Sequence, residues 1–168
     1  QNLFLKGNIN KFPSEGSMFP DTYFFLRNEN RNDIVLRMQK QMKKVVDNIW
    51  KENKTFLETK DDMIKLASII NAEANKNKEK FVVSSVFHNR LSLGMKLQSD
   101  PTVLYGKNIY KKNISRKITK KDLKATNPWN TYKIRGLPQT PICNPGLVSM
   151  RAAIKPLQTN YLYFVSDG

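Results

Sequence analysis

Met63, Leu66, Ile70 and Glu73 fall three, four and three residues apart, the spacing that places side chains on one face of an α-helix. Three of them are apolar, so this face is made to be buried. The fourth is a carboxylate standing where a core residue is expected. Burial disfavours the charged form of a carboxyl group and raises its pKa, which is the condition a general acid working near neutral pH needs. The stretch 66–106, LASIINAEANKNKEKFVVSSVFHNRLSLGMKLQSDPTVLYG, is therefore the part around which the chain is organised.

The flanking sequence supplies more helices. Asn32 or Asp33 caps a helix to about Asn53, with a buried stripe of Ile34, Met38, Met42, Val45 and Ile49, Val35 and Val46 beside it, and Trp50 closing it. Lys40, Lys43, Lys44 and Lys51 form its solvated face. Thr59 or Asp61 caps the helix that carries Glu73 and ends near Asn75. A third helix runs from about Lys78 to Leu93 and stops at Gly94. Val82, Val83, Val86, Phe87 and Leu91 are its core face, Asn89 and Arg90 sit near its end, and His88 is a surface or hydrogen-bonded residue. Asp100 before Pro101 reads as an N-cap with Pro at N1, opening a short helix that closes at Gly106. Gln98 and Ser99 are presented on the loop ahead of it.

Further along, Thr119-Lys120-Lys121-Asp122 is capping-box-like and opens a short helix. Residues 129–134 alternate in the strand manner, and 136–142 form a rigid Pro-rich loop. Asn144-Pro145-Gly146 repeats the cap-then-Pro device ahead of a helix through Ala152 and Ala153 that ends before Pro156. Residues 160–165, NYLYFV, predict an aromatic-rich strand, and Ser166-Asp167-Gly168 a turn. Near the start, the aromatic segment 14–25, punctuated by Gly16 and Pro20, either packs on the core or lines a groove. The expected class is helix-led α+β.

A chain of 168 residues suits one domain with a sizeable core. It contains no run of about 18 apolar residues, so no span is expected. The first residues have neither the pattern of a signal peptide nor an initiator Met, which suggests a piece of a longer chain. The net charge of +15 favours anionic partners. The abundance of Lys and Asn along the whole length equally fits compositional bias, and the Lys residues gather on no single element. No nucleic-acid-binding motif is present. Cys143 is the single cysteine, so no internal disulfide forms. A Cys143–His88 pair has nothing else to support it. No cluster has metal-ligand spacing, and neither a metal nor a cofactor is expected.

The runs LASIINAE, VFHNRL, GMKLQSDPTVLYG, NTYKIRGLP, NPG and YLYFVSDG resemble the YceG-like (MltG) family of endolytic murein transglycosylases, in the family's order. SEGSMFPDTY resembles the segment that precedes the family's catalytic core. The resemblance covers 14–168 and implies a helix-led, lysozyme-like catalytic domain with a small β-sheet, while 1–13 would be the end of a LysM-like subdomain or a linker. The family commonly carries an acidic pair, one residue apart, in the helix of Glu73; here the first position is Asn71, which leaves Glu73 as the acid.

The resemblance further implies a bacterial wall enzyme that cuts glycan strands internally and ends new chains. Its catalytic domain would lie on the extracytoplasmic side of the inner membrane, anchored by a segment absent from this chain. The partners implied are peptidoglycan glycan strands and wall-synthesis enzymes, not nucleic acid. Glu73 would protonate the oxygen between N-acetylmuramic acid and N-acetylglucosamine while the muramic acetamido group attacks from the other face, a substrate-assisted route. The Glu73 carboxylate would then take the proton of the 6-hydroxyl, which closes a 1,6-anhydro ring without water. Gln98, Ser99, Asp100, Thr102 and Tyr105 would line the groove, with Asn130, Thr131 and Tyr132 as a second wall and Pro138 and Asn144 nearby. For each of these, turn or core packing is the competing role. Two alternatives remain: a two-carboxylate hydrolase with Asp100 as the second acid, and a non-catalytic wall-binding domain.

Overall fold

The architecture follows from one helix whose face is apolar all along its length. In α2 (Lys60–Glu73), Met63, Leu66, Ala67, Ile69 and Ile70 are wholly buried. The computed structural model describes residues 5–109, 114 and 117–165. Around α2 pack α1 (Arg31–Trp50), α3 (Asn77–Ser92), α4 (Asp100–Asn108) and α6 (Leu147–Ile154); α5 (Lys120–Lys124) rests on α4. The closest neighbour of α2 is α6, whose Ala152 and Ala153 are fully buried. Small side chains there let the two backbones approach, and Met150 fills the remaining space.

Local chemistry sets the helix ends. Asn30 caps α1 by accepting from the Asn32 N–H, and Thr59 caps α2 by accepting from the Asp62 N–H. Helix α3 ends as its glycine predicts: Gly94 adopts φ +64°, the Met95 N–H bonds the Arg90 carbonyl and the Gly94 N–H bonds the Leu91 carbonyl. The capping box of α5 is complete, with Thr119 and Asp122 each serving the other's backbone N–H. Two polar pins hold α3 to α6 inside the apolar interface: Ser84 Oγ donates to the Ala152 carbonyl and His88 Nε2 to the Ala153 carbonyl, both at 2.7 Å. Gly16 sits at φ +78° where a Cβ would come within 2.6 Å of Pro141 and 2.8 Å of Ile64, so the 14–25 segment closes tightly over α2 there.

The class is the expected helix-led α+β, but several local expectations are corrected. The small sheet is a parallel pair, β1 (Leu5–Lys6) and β2 (Glu29–Asn30), in register Leu5 with Glu29 and Lys6 with Asn30. Residues 129–134 are turns, not a strand. Asn127 Oδ1 takes the N–H groups of Trp129 and Asn130, and the Asn130 carbonyl takes those of Lys133 and Ile134, so local partners capture the donors a ladder would need. Residues 160–165 form no strand and pair with none among the described residues. Asn89 Nδ2 donates to the carbonyls of Thr159 and Tyr161, and Arg90 Nε to that of Leu162, so side chains of α3 replace a neighbouring strand.

Asn144 is not a cap: Gly146 occupies the N-cap position of α6, and Asn144 Oδ1 accepts from the Met18 N–H at 2.9 Å. Asp100 is not a cap either, since Ser99 holds that position in α4 and Asp100 is the first helical residue. In the 14–25 segment only Phe19 joins the core, while Phe24 and Phe25 are exposed. The turn expected at 166–168 lies outside the described residues.

Candidate active site

Glu73 is the last residue of α2, and the chain leaves the helix at Ala74 in an extended conformation. Two physical effects act on its carboxyl group. It is half-buried over the apolar core, and it stands at the C-terminal end of a helix, where the unsatisfied carbonyls disfavour negative charge. Burial is the largest influence and raises its pKa; a hydrogen bond from Ser99 opposes this, and the nearby charge of Asp100 adds to it. Ser99 Oγ donates to Glu73 Oε1 at 2.6 Å. With Oε1 engaged as an acceptor, a protonated Glu73 carries its hydrogen on Oε2.

The backbone that presents Ser99 is held by two threonines. Thr131 Oγ1 accepts from the Ser99 N–H at 2.9 Å, Thr102 Oγ1 donates to the Ser99 carbonyl at 2.6 Å, and the two threonine hydroxyls lie 2.8 Å apart. Ser99, Thr102 and Thr131 are all buried. Gln98, just ahead, sits at φ +51° with its N–H on the Thr131 carbonyl. A left-handed conformation at a non-glycine residue costs on the order of 1–3 kcal/mol and persists only where surrounding contacts impose it. Here it reverses the chain so that Ser99 faces Glu73. Beside them, Tyr132 Oη donates to Asp100 Oδ1 at 2.7 Å. Burial, the bond to Asp100 and the charges of Asp100 and Glu73 push the Tyr132 hydroxyl up to about 12.

On its other side Glu73 opens onto a cleft of about 140 Å³, lined by Ala74, Glu79, Val82, Val83, Phe164 and Val165. Phe164 is placed by an edge-on contact with Phe87, centroids 5.8 Å apart. The segment bearing it is fastened by Arg90, a buried cation that also donates to the Leu97 carbonyl and lies 4.9 Å from the ring centre of Tyr163. One arginine thus ties the loop before Ser99 to the tail that walls the cleft.

The structure brings together part of the expected groove. Ser99, Asp100 and Tyr132 gather at Glu73, and Gln98 is exposed beside them. Thr102 and Thr131 serve as internal supports. Asn130 is fully buried, its amide donating to the carbonyls of Asp122, Leu123 and Ala125, and so shapes the wall from behind. Tyr105 packs edge-on against Trp129, centroids 5.7 Å apart. Pro138 is buried and Asn144 bonds Met18. Asn71 faces α6, where its Oδ1 accepts from Ser149 Oγ at 2.8 Å. Cys143 and His88 do not meet: the thiol bonds the Ser68 carbonyl, and burial pushes it up to about 11, away from nucleophile chemistry.

Sequence reasoning missed three contributors: Arg90 as the clamp, Phe164 as a cleft wall, and Glu79 as a second carboxylate at its rim. A signal for Glu79 existed, since it lies in the first turn of the helix that follows Glu73 directly.

These features define a class, a helix-led α+β domain with one half-buried, hydrogen-bonded carboxylic acid at the edge of a cleft. The chain belongs to the YceG-like family, whose model matches residues 2–168. It is 39% identical over 159 residues to an endolytic murein transglycosylase of Bacillus subtilis (strain 168), covering 94% of this chain and 43% of that protein. It is 28% identical over 168 residues to an endolytic murein transglycosylase of Streptococcus pneumoniae serotype 2, covering 99% of this chain and 30% of that protein. A crystal structure of a YceG-like protein from Listeria monocytogenes superposes with a TM-score of 0.79 at 37% identity, over 90% of this chain and 49% of that one. The chain thus spans less than half the length of these relatives.

Proposed function

We propose that this chain is the catalytic region of a peptidoglycan lytic transglycosylase, with Glu73 as its single acid and base. The observation that carries the reading is the 2.6 Å bond from Ser99 Oγ to Glu73 Oε1 on a carboxyl group whose pKa burial raises. A proton is then available on Oε2 for the glycosidic oxygen between N-acetylmuramic acid and N-acetylglucosamine. Breaking that bond leaves Glu73 ionised and the leaving sugar protonated. The muramic acetamido oxygen bonds to C1 as the leaving group departs. The 6-hydroxyl oxygen next displaces it, and its proton returns to Glu73, giving a 1,6-anhydro end with the acid restored. No water is consumed. Internal cutting of this kind ends nascent glycan strands, and the relatives' names support a wall substrate. The catalytic domain is assigned to the extracytoplasmic face of the inner membrane, held there by a segment outside this chain and working beside wall-synthesis enzymes. No described helix is long and apolar enough to cross a membrane.

One observation favours a second reading. Asp100 is exposed, does not cap α4, and lies close enough for its charge to act on Glu73. A carboxylate so placed could serve a two-carboxylate hydrolase, which would release reducing ends. Mass spectrometry of purified glycan strands, incubated with the wild type and with Glu73→Gln, separates the readings. Anhydro-muramic ends lost in the variant are the expected result. Reducing ends would transfer the chemistry to the Glu73–Asp100 pair, and unchanged cleavage by Glu73→Gln would end the proposal.

A further inference from the structure

A groove of about 540 Å³, larger than the cleft at Glu73, runs between the C-terminal half of α3, the loop before α2 and the segment after α6. Nothing in the mechanism above uses it. Lys54, in the loop before α2, and Lys155, just after α6, both line the groove and are exposed, and no carboxylate among the described residues lines it. Neither lysine forms an ion pair among the described residues. At the base lies His88, only 7% exposed. Its Nε2 faces the Ala153 carbonyl at 2.7 Å. A carbonyl can only accept, so Nε2 carries the ring hydrogen and a neutral ring leaves Nδ1 as an acceptor. Burial lowers the His88 pKa, which keeps the ring neutral. Nδ1 has no hydrogen-bond partner among the described residues and reaches solvent in the groove. Phe56, 52% exposed, stands edge-on to the imidazole at 5.2 Å between centroids and adds an apolar flank.

This combination selects a ligand class. A neutral sugar is best held by carboxylate acceptors and by hydroxyls free to bond it. Here the acids are missing, and the hydroxyls of Ser85 and Ser92 are already engaged with Thr159 and the Asn89 carbonyl. Two ammonium groups suit carboxylates, a ring acceptor open to the groove suits an amide N–H, and an exposed phenyl suits small methyl groups. We infer that the groove binds the carboxylate-bearing peptide stem of the peptidoglycan strand, as a second subsite on α3, the helix that also lines the Glu73 cleft. The assignment rests on the wall-substrate reading above. Its consequence is that peptide-bearing strands bind more tightly than bare glycan.

The test is an NMR titration of the ¹⁵N-labelled chain with a synthetic stem tetrapeptide carrying free carboxylates, and with the same peptide fully amidated. Shifts at Phe56, Asn89, Lys155 and Gln158 are expected, with about tenfold weaker binding of the amidated peptide. Lys54→Gln with Lys155→Gln should weaken the free peptide about tenfold, and Lys43→Gln with Lys44→Gln, on the solvated face of α1, by less than about twofold. Absence of these shifts, equal binding of the amidated peptide, or equal loss in both lysine pairs would each overturn the subsite, the last by assigning binding to net charge alone. Cleavage of peptide-free strands with and without Glu73→Gln reports on the catalytic reading separately. The subsite can therefore fail while that reading stands, and the converse.

Discussion

At the scale of single residues, Glu73 is set by competing influences of known sign. In the proposed role of general acid it must be protonated, so activity would fall as pH rises through its pKa. The Ser99 bond favours the charged form and lowers that pKa, while Asp100 disfavours it and raises it. Ser99→Ala should therefore move the alkaline limb of the pH–rate profile upward, and Asp100→Asn should move it downward. Limbs shifting the other way would contradict the arrangement. Ser99→Ala should also lower the rate by about tenfold to a hundredfold, because the carboxyl group loses its orienting partner. Stability carries the same sign. A carboxyl group with a raised folded-state pKa penalises the folded state above that pKa, and the penalty vanishes below the ordinary value of 4.5. Glu73→Gln should melt higher than wild type at pH 8 and alike near pH 4, as thermal unfolding would show. The position of this half-buried carboxylate was legible in the sequence, because a carboxylate on an apolar helical stripe is a local pattern. Its partner was legible only as one polar residue among ten, since the Ser99–Glu73 pair spans 26 positions.

At the scale of elements, helices were legible and strands were not. A helix satisfies its own backbone, so spacing and caps suffice to announce it. A strand needs a partner, and alternation at 129–134 and 160–165 says nothing about whether one exists. In both places side chains supplied the hydrogen bonds instead: those of Asn127 and Asn130 in the first, Asn89 and Arg90 in the second. The loop wall of the site depends on this. Gly106 approaches Asn127 so closely that a Cβ would meet its Oδ1 at 2.4 Å. Gly106→Ala should displace Asn127, release the Trp129 and Asn130 N–H groups, and lower both melting temperature and activity. Thr131→Val tests the layer above. It leaves the Ser99 N–H buried without its acceptor, at about 1–3 kcal/mol, read as a lower midpoint in urea denaturation.

At the scale of the whole molecule, Arg90 links distant parts. It is buried, and its donors reach Leu97, seven residues on, and Leu162, 72 residues on. Arg90→Leu would keep some packing but lose both bonds, freeing the tail that carries Phe164 into the cleft. Hydrogen exchange should then rise across 157–165 and in the 97–99 loop together, and activity should fall. Loss of protection in the tail alone would show that the two are not coupled. The net charge of +15 acts at this scale as well. Its attraction for an anionic wall polymer is screened by salt, so kcat/KM on such a substrate should decline with ionic strength more than kcat does.

The sequence by itself determined the helices, most of their ends, the burial of α2 and the acid at its last turn, because each arises from interactions within a few residues. The tertiary structure alone decided what faces that acid. Thr102, Thr131, Arg90 and the 157–165 tail come from separate stretches, and bonds such as Ser99 to Thr131 and Arg90 to Leu162 join residues 32 and 72 positions apart. It also decided that Asp100 meets Tyr132 rather than capping its own helix, and that Asn144 holds Met18. Polar side chains choose among partners by proximity in space, and one-dimensional spacing does not carry that proximity.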